Sequence, residues 1–373
     1  SGYAQQPERA GAPRSVCFRS LCFICVPYVA KLLSLVWLAG VAGAAPALQT
    51  RHVLLVMADG LRWQEVFTGA EEQLISKEHG GVTKTNELRK EFWRATPEAR
   101  REALMPFFWG TIAKEGQLYG NQHKGSIAHV TNGKNFSYPG YSEILCGFSD
   151  PRIDSNAKKP NPNVTMPEWL NGKPAFAGRV AAFGNWDVIP YILNRERSHI
   201  PVWTGFEKTD AKLNPHLALL EKLIADHTPT WGSLMTHDVF IHSAALEHLK
   251  TKRPRLMYIG YGEPDEWAHE GRYDHYLNSI RLFDRYVSQL WEAAQADPEM
   301  RGHTSILLVT DHGRGTSNAL GTDQAGCTRD VLHLQGLPQK LRHFLGDDAQ
   351  CRVTRATGLH GRDNQYRLRR VRL

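Results

Sequence analysis

Three uninterrupted apolar runs stand out in the pattern of hydrophobic and polar positions. They are HVLLVMADG (52–60), RLMYIGYGEPD (255–265) and TSILLVTDHG (304–313), and each ends in acidic or histidine residues. Continuous runs of Val, Ile and Leu of this length are typical of parallel strands that helices cover on both faces. The three runs are therefore predicted to be buried parallel strands.

A helical pattern separates the second run from the third. Within 272–295, one apolar residue recurs at steps of three and four, at Ile280, Phe283, Val287, Leu290 and Ala294. Such spacing places the side chains on one buried stripe of a helix, which the following Asp297-Pro298 would end. Strands that alternate with helices predict a doubly wound α/β fold, with a mostly parallel sheet and helices on both faces.

The polar residues after the three runs are candidate metal ligands. Asp59 follows the first run, Asp265 and His269 follow the second, and Asp311 and His312 follow the third. Ligand sites in doubly wound sheets form beyond the carboxyl ends of the strands, and carboxylates with imidazoles suit Zn²⁺ and Mn²⁺. Taken singly, Asp59 and Asp311 are also compatible with turns, and Asp265 with an acid at a helix N-terminus.

The net charge of +7 is concentrated at the two ends of the chain. Residues 1–50 carry +3 and residues 317–373 carry +5, which leaves −1 for the body between them. A groove for nucleic acid would need its positive charge on the folded body. We therefore expect no nucleic-acid-binding module.

The first 47 residues have the pattern of a leader with a signal peptide. Lys31 precedes the apolar run 32–44, and small residues in A-x-A spacing follow it. Export predicts a periplasmic or secreted protein. The alternative is an uncleaved anchor, which would be the chain's contact with a membrane.

The tail, 317–373, differs in composition from the predicted domain at 51–316. It contains ten Lys or Arg, five Asp and no Glu, and its apolar positions follow neither helical nor strand spacing. One hypothesis is that this divergent basic tail is not native to the fold and results from a change of reading frame.

Four segments, in this order, resemble the alkaline phosphatase superfamily. They are VMADGLRW (56–63), NFSYPGYSEILCG (135–147), EPDEWAH (263–269) and VTDHGRG (309–315). The similarity is greatest to the branch of nucleotide pyrophosphatase/phosphodiesterases and phosphoglyceromutase-like metalloenzymes. The resemblance implies an alkaline phosphatase-like fold and two divalent metal ions, Zn²⁺ or alternatively Mn²⁺.

The resemblance also assigns roles to individual residues. Ser137, before Pro139, matches the family's nucleophile, with Ser142 as the alternative. Asn156 matches a donor to a phosphate oxygen, although a plain loop residue is an equal interpretation. One ion would be held by Asp59, Asp311, His312 and Ser137, and the other by Asp265, His269 and a later histidine, for which the His-Gly pair at His360 is the candidate.

These features predict a metal-dependent hydrolase of small-molecule phosphate esters, of the phosphodiesterase or phosphatase type. A phosphomutase of the same fold is the alternative, but export disfavours it. A sulfatase would need an Arg after the nucleophile that SYPGY (137–141) lacks. A catalytically impaired relative is the fourth hypothesis, because the last metal ligand has no clear match.

Overall fold

The computed structural model describes residues 50–134, 136–208, 212 and 214–315, together with the backbone of 334 and 335. The leader at 1–47 and the rest of the tail, including His360, lie outside the described residues. No helix within the described ranges is both long enough and apolar enough to cross a membrane.

Seven strands form one sheet in the order β2-β7-β6-β1-β5-β3-β4. The strands β6, β1, β5, β3 and β4 are parallel, and β7 joins β6 and β2 in antiparallel pairs. Their bounds are β1 His52–Ala58, β2 Gln117–Leu118, β3 Val180–Gly184, β4 Val202–Trp203, β5 Leu256–Tyr261, β6 Thr304–Val309 and β7 Leu334–Gln335.

Helices occupy the connections between the strands. Their bounds are α1 Trp63–Thr68, α2 Lys77–Gly80, α3 Thr85–Phe92, α4 Pro97–Leu104, α5 Ala113–Glu115, α6 Ser137–Cys146, α7 Met166–Asn171, α8 Ile189–Ile192, α9 Arg195–Ser198, α10 Pro215–Asp226, α11 Asp238–Lys252, α12 Glu263–His269 and α13 Tyr273–Ala296. Short 3-10 turns lie at Glu72–Leu74 and Gln122–Lys124, and a π turn lies at Phe108–Ile112.

Both faces of the sheet are buried, as the apolar runs predicted. Along β1, alternate side chains point to opposite faces: Leu54 and Val56 join one apolar cluster, and Val53 and Leu55 join the other. The first cluster contains the stripe of α13, and the second contains residues of α6, α7 and α8. The doubly wound α/β fold is therefore confirmed.

The central strand β1 sets the position of the candidate ligands. Val56 pairs with Ile259 of β5 on one side and with Leu308 of β6 on the other. Because all three strands run the same way, their carboxyl ends meet at one edge of the sheet.

Candidate metal centre and nucleophile

The strand ends bring four of the five candidate ligands into one buried cluster. Asp59 directly follows β1, Asp265 lies in the first turn of α12 just after β5, and Asp311 and His312 follow β6. All four are almost fully buried, at 5% exposure or less. The fifth, His269, lies at the end of α12 and is partly exposed.

His312 is the centre of the cluster. Its Nε2 lies 3.2 Å from Asp59 Oδ1, 3.3 Å from Asp311 Oδ2, 3.8 Å from Asp265 Oδ1 and 3.5 Å from Ser137 Oγ. Its Nδ1 donates to the carbonyl oxygen of Gly313 at 2.8 Å. Because that bond keeps a proton on Nδ1, the neutral ring has its lone pair on Nε2, facing the carboxylates.

Ser137 begins helix α6 and is buried beside this histidine. Its hydroxyl donates to Asp59 Oδ1 at 3.4 Å. One turn later on the same helix, the Tyr141 hydroxyl donates to Asp59 Oδ2 at 2.9 Å. Both oxygens of Asp59 therefore bind α6, which fixes the serine against the end of β1.

A glycine allows helix α6 to approach the end of β6 this closely. A methyl group on Gly140 would lie 2.4 Å from the carbonyl oxygen of Asp311. Such a separation is a clash with backbone, which no side-chain rotation relieves. The sequence Ser137-Tyr138-Pro139-Gly140 is thus suited to a helix that contacts the cluster by its backbone.

Burial and neighbouring charges shift the pKa values of three residues in the cluster. Burial and the charge of Asp59 raise the pKa of Asp311 well above its ordinary value. Burial also disfavours charge on Asp59, but the hydrogen bond and charge of His312 outweigh it and keep the pKa of Asp59 below its ordinary value. Burial likewise opposes protonation of His312, yet the charge of Asp311 and the hydrogen bond to Asp59 raise its pKa to about 10.

The residues present fit one divalent ion. Ligand atoms of Asp59, Asp265 and His312 lie within 4.8 Å of one another. Among the described residues, Asp311 Oδ2 is buried and forms no hydrogen bond, and it faces His312 Nε2 at 3.3 Å, so an ion bound by that nitrogen would lie beside it. Carboxylates, an imidazole Nε2 and a serine oxygen form a donor set that suits Zn²⁺ or Mn²⁺.

The side chains expected to hold a second ion make other contacts. His269 Nε2 lies 2.9 Å from Asp265 Oδ2, on neighbouring turns of α12. The other oxygen, Asp265 Oδ1, accepts a hydrogen bond from the buried guanidinium of Arg314. The third ligand of this set, expected at His360, lies outside the described residues.

Two further candidates have other contacts. The Asn156 side chain is exposed, and its Oδ1 accepts from the backbone N–H of Tyr138 at 2.9 Å, at the start of α6. The Ser142 hydroxyl accepts from Asn161 Nδ2 at 3.2 Å and lies 3.8 Å from Cys146 Sγ. Asn156 thus contacts the backbone of Tyr138, the residue that follows Ser137. Ser142 instead contacts Asn161 and Cys146.

Sequence reasoning missed two residues of the cluster, Tyr141 and Arg314. Tyr141 lies four positions after Ser137, a spacing that places both on one face of a helix, so the sequence contained a signal for it. Arg314 lies in the motif VTDHGRG (309–315), but its partner Asp265 is 49 positions away and no local pattern indicates the pair.

Residues 76–367 match the family model of type I phosphodiesterase / nucleotide pyrophosphatase. The chain belongs to this family. The match covers well over half of the chain and confirms the resemblance to the alkaline phosphatase superfamily. No curated protein sequence matches the chain.

Several solved structures are similar to this member of the phosphodiesterase family. A 2-O GAG sulfatase is 12% identical with a TM-score of 0.43, over 78% of this chain and 64% of that one. Phosphonoacetate hydrolase from Sinorhizobium meliloti is 16% identical with a TM-score of 0.42, over 72% and 57%. The lipoteichoic acid synthase LtaP from Listeria monocytogenes is 10% identical with a TM-score of 0.45, over 79% and 67%. The alignment to the first of these spans less than two thirds of its length.

Proposed function

We propose that this chain is a metal-dependent hydrolase of small-molecule phosphate esters, of the phosphodiesterase or phosphatase type, with Ser137 as nucleophile. The observation that carries the proposal is the position of Ser137 Oγ, 3.4 Å from Asp59 Oδ1 and 3.5 Å from His312 Nε2. Family membership supports the class of reaction, and the buried carboxylate–histidine cluster supports the dependence on metal.

Asp59, Asp311, His312 and Ser137 would hold the ion. A bound divalent cation lowers the pKa of a coordinated oxygen and offsets the charge of a phosphoryl group. The chain's own groups position the reaction: the hydrogen bond to Asp59 Oδ1 holds the Ser137 hydroxyl at the end of β1, beside His312 Nε2. As the Ser137 oxygen forms its bond to phosphorus, the bond from phosphorus to the ester oxygen breaks, the serine proton passes to water, and the leaving oxygen takes a proton from water. A second water then attacks phosphorus, breaks the bond to Ser137 Oγ and restores the serine hydroxyl.

Zinc, with manganese as the alternative, is our proposal for the ion. Export to the periplasm or the exterior is proposed from the pattern of residues 31–47 alone. An extracytoplasmic location would favour hydrolysis over the phosphomutase reaction, whose substrates are cytoplasmic metabolites.

Hydrolysis of a p-nitrophenyl phosphodiester and of the corresponding monoester, with added Zn²⁺ or Mn²⁺, tests the proposal. We expect Ser137→Ala to lose at least about a thousandfold in kcat/KM, as removal of a nucleophile does. Ser142→Ala is the matched control, since this buried serine lies on the same helix and contacts Asn161 and Cys146. It is expected to keep activity within a few fold.

Undiminished turnover by Ser137→Ala would exclude Ser137 as nucleophile, and a selective loss in Ser142→Ala would transfer the role to Ser142. A metal-loaded parent that turns over neither ester would contradict the hydrolase and support the impaired relative.

A further inference from the structure

Arg314 occupies an unusual position for a fully charged side chain. It is 2% exposed, it follows the candidate ligand His312 by two residues, and its Nη1 donates to Asp265 Oδ1. The other oxygen of Asp265 lies 2.9 Å from His269 Nε2. The His269 contact resembles that of His312 with Asp59, but Oδ1 of Asp265 is already paired with a permanent cation.

We propose that the guanidinium of Arg314 takes the place of a second cation beside Asp265, so that this chain binds one divalent ion. The inference rests on the proposed metal site at Asp59, Asp311 and His312. A zinc–oxygen bond is about 2.0–2.2 Å long. An ion bound to Asp265 Oδ1 would therefore lie against the guanidinium, and two positive centres in contact repel strongly where water is excluded.

The balance of charge agrees with a single ion. Asp59, Asp265 and Asp311 supply three negative charges when they are ionised, and Arg314 keeps its positive charge at all relevant pH values. One divalent ion with the arginine neutralises the three carboxylates when His312 is neutral. A second divalent ion would leave a buried excess of two positive charges.

The backbone around Arg314 is held in place, which opposes movement of its side chain out of the site. The next residue, Gly315, accepts at its carbonyl oxygen a 2.8 Å hydrogen bond from Arg62 Nη1. Arg62 is itself buried and paired with Glu65 in helix α1. A shift of the backbone at 314–315 would thus disturb a second buried ion pair.

Ion counting tests the proposal without reference to turnover. The full chain is stripped with chelator, dialysed separately against Zn²⁺ and Mn²⁺, and its bound ions are counted by inductively coupled plasma mass spectrometry. We expect one ion in the parent and two in Arg314→Met, which keeps much of the side-chain volume without the charge. The double variant Arg314→Met with His269→Ala is expected to return to one.

Arg272→Met is the matched control, because Arg272 also pairs with an aspartate, Asp274, outside the cluster. It should still bind one ion. Two ions in the parent, or one ion in a folded Arg314→Met variant, would overturn the proposal.

His269→Ala in the parent decides the matter if Arg314→Met does not fold. An unchanged ion count, with zinc affinity within threefold of the parent, supports the proposal, since His269 then holds no ion. A tenfold or larger loss of affinity overturns it. A parent that hydrolyses no ester would contradict the proposed function. The number of bound ions would still test the single-ion proposal, because it is measured without turnover.

Discussion

At the scale of single residues, protonation of His312 competes with binding of the proposed metal ion. Its pKa of about 10 arises because the charge of Asp311 and the hydrogen bond to Asp59 outweigh the effect of burial. At neutral pH the metal-free imidazole is therefore charged, with Nε2 directed at both carboxylates. A metal ion needs the neutral ring, so it must displace this proton.

Zinc affinity is accordingly expected to rise with pH. Below the pKa of His312, each pH unit should strengthen binding by about tenfold, and by more if Asp311 also releases a proton. Competition titrations with a zinc-buffering chelator at pH 6, 7 and 8 measure the slope. His312→Gln, which lacks the titrating proton and the ligand nitrogen, should bind more weakly and with a shallower slope. A parent whose affinity is the same at all three pH values would contradict this account.

The residue contacts that define the site were the least accessible to sequence reasoning. The pair Asp265–Arg314 and the pair Asp59–Tyr141 join residues 49 and 82 positions apart. Charged and hydroxyl side chains that meet across a fold leave no periodic signal, because each is set by the packing of different elements. That the candidate ligands would meet at one edge of the sheet was predictable only because an apolar run precedes each of them.

At the scale of elements, long and strongly patterned segments were predictable and short ones were not. The runs at 52–60, 255–265 and 304–313 contain β1, β5 and β6, and the stripe predicted for 272–295 is that of α13. The strands β3, with five residues, and β4, with two, are too short to show a period. They become strands by pairing with β5 and with each other, which is a property of the sheet.

Helix α13 also stabilises a neighbouring segment through one buried acid. Asp284 accepts hydrogen bonds from the backbone N–H groups of Phe107 and Phe108, both at 2.8 Å. Burial raises the pKa of Asp284 to about 6, although these two bonds act in the opposite direction. The acid therefore caps the turn at Phe108–Ile112 from a distant part of the chain.

Removing this cap should destabilise the protein. We expect Asp284→Ala to lower the free energy of unfolding by about 1–3 kcal/mol, because it leaves two backbone donors without an acceptor. Urea denaturation monitored by circular dichroism measures the loss. Ser288→Ala, at a half-buried position one turn later on the same helix whose hydroxyl donates only to the exposed Glu292, is expected to stay within about 0.5 kcal/mol of the parent. Equal effects of the two substitutions would show that Asp284 does not act as a cap.

At the scale of the whole molecule, a buried neutral histidine makes the stability of the fold sensitive to acid. His242, on α11, stacks on Tyr286 with ring centroids 4.0 Å apart. Its Nε2 lies 2.7 Å from Gln289 Oε1 and its Nδ1 lies 2.8 Å from the Tyr261 hydroxyl. The amide oxygen accepts from Nε2, so Nδ1 accepts from the tyrosine, and the ring is fixed in its neutral form between α11, β5 and α13.

Burial lowers the pKa of His242 to about 4, from 6.5 in an unfolded chain. Between these values the unfolded chain binds a proton that the native ring does not, so stability is fully present above about pH 6.5 and is lost as the pH falls. The expected contribution of His242 from pH 6.5 to pH 5 is a loss of about 1.6 kcal/mol, less than the limiting value of about 1.4 kcal/mol for each pH unit because the unfolded histidine is only half protonated at pH 6.5. Urea denaturation of the metal-free parent and of a non-titrating variant at these two pH values isolates it, because Asp284, with its pKa raised to about 6, acts in the opposite direction over the same interval. His242→Gln keeps the hydrogen-bonding capacity but cannot titrate, so its stability should fall by about 1.6 kcal/mol less than that of the parent over the same interval. Exposed His129→Gln is the control and should follow the parent. Parallel loss in the parent and in His242→Gln would mean that the acid sensitivity arises at other groups.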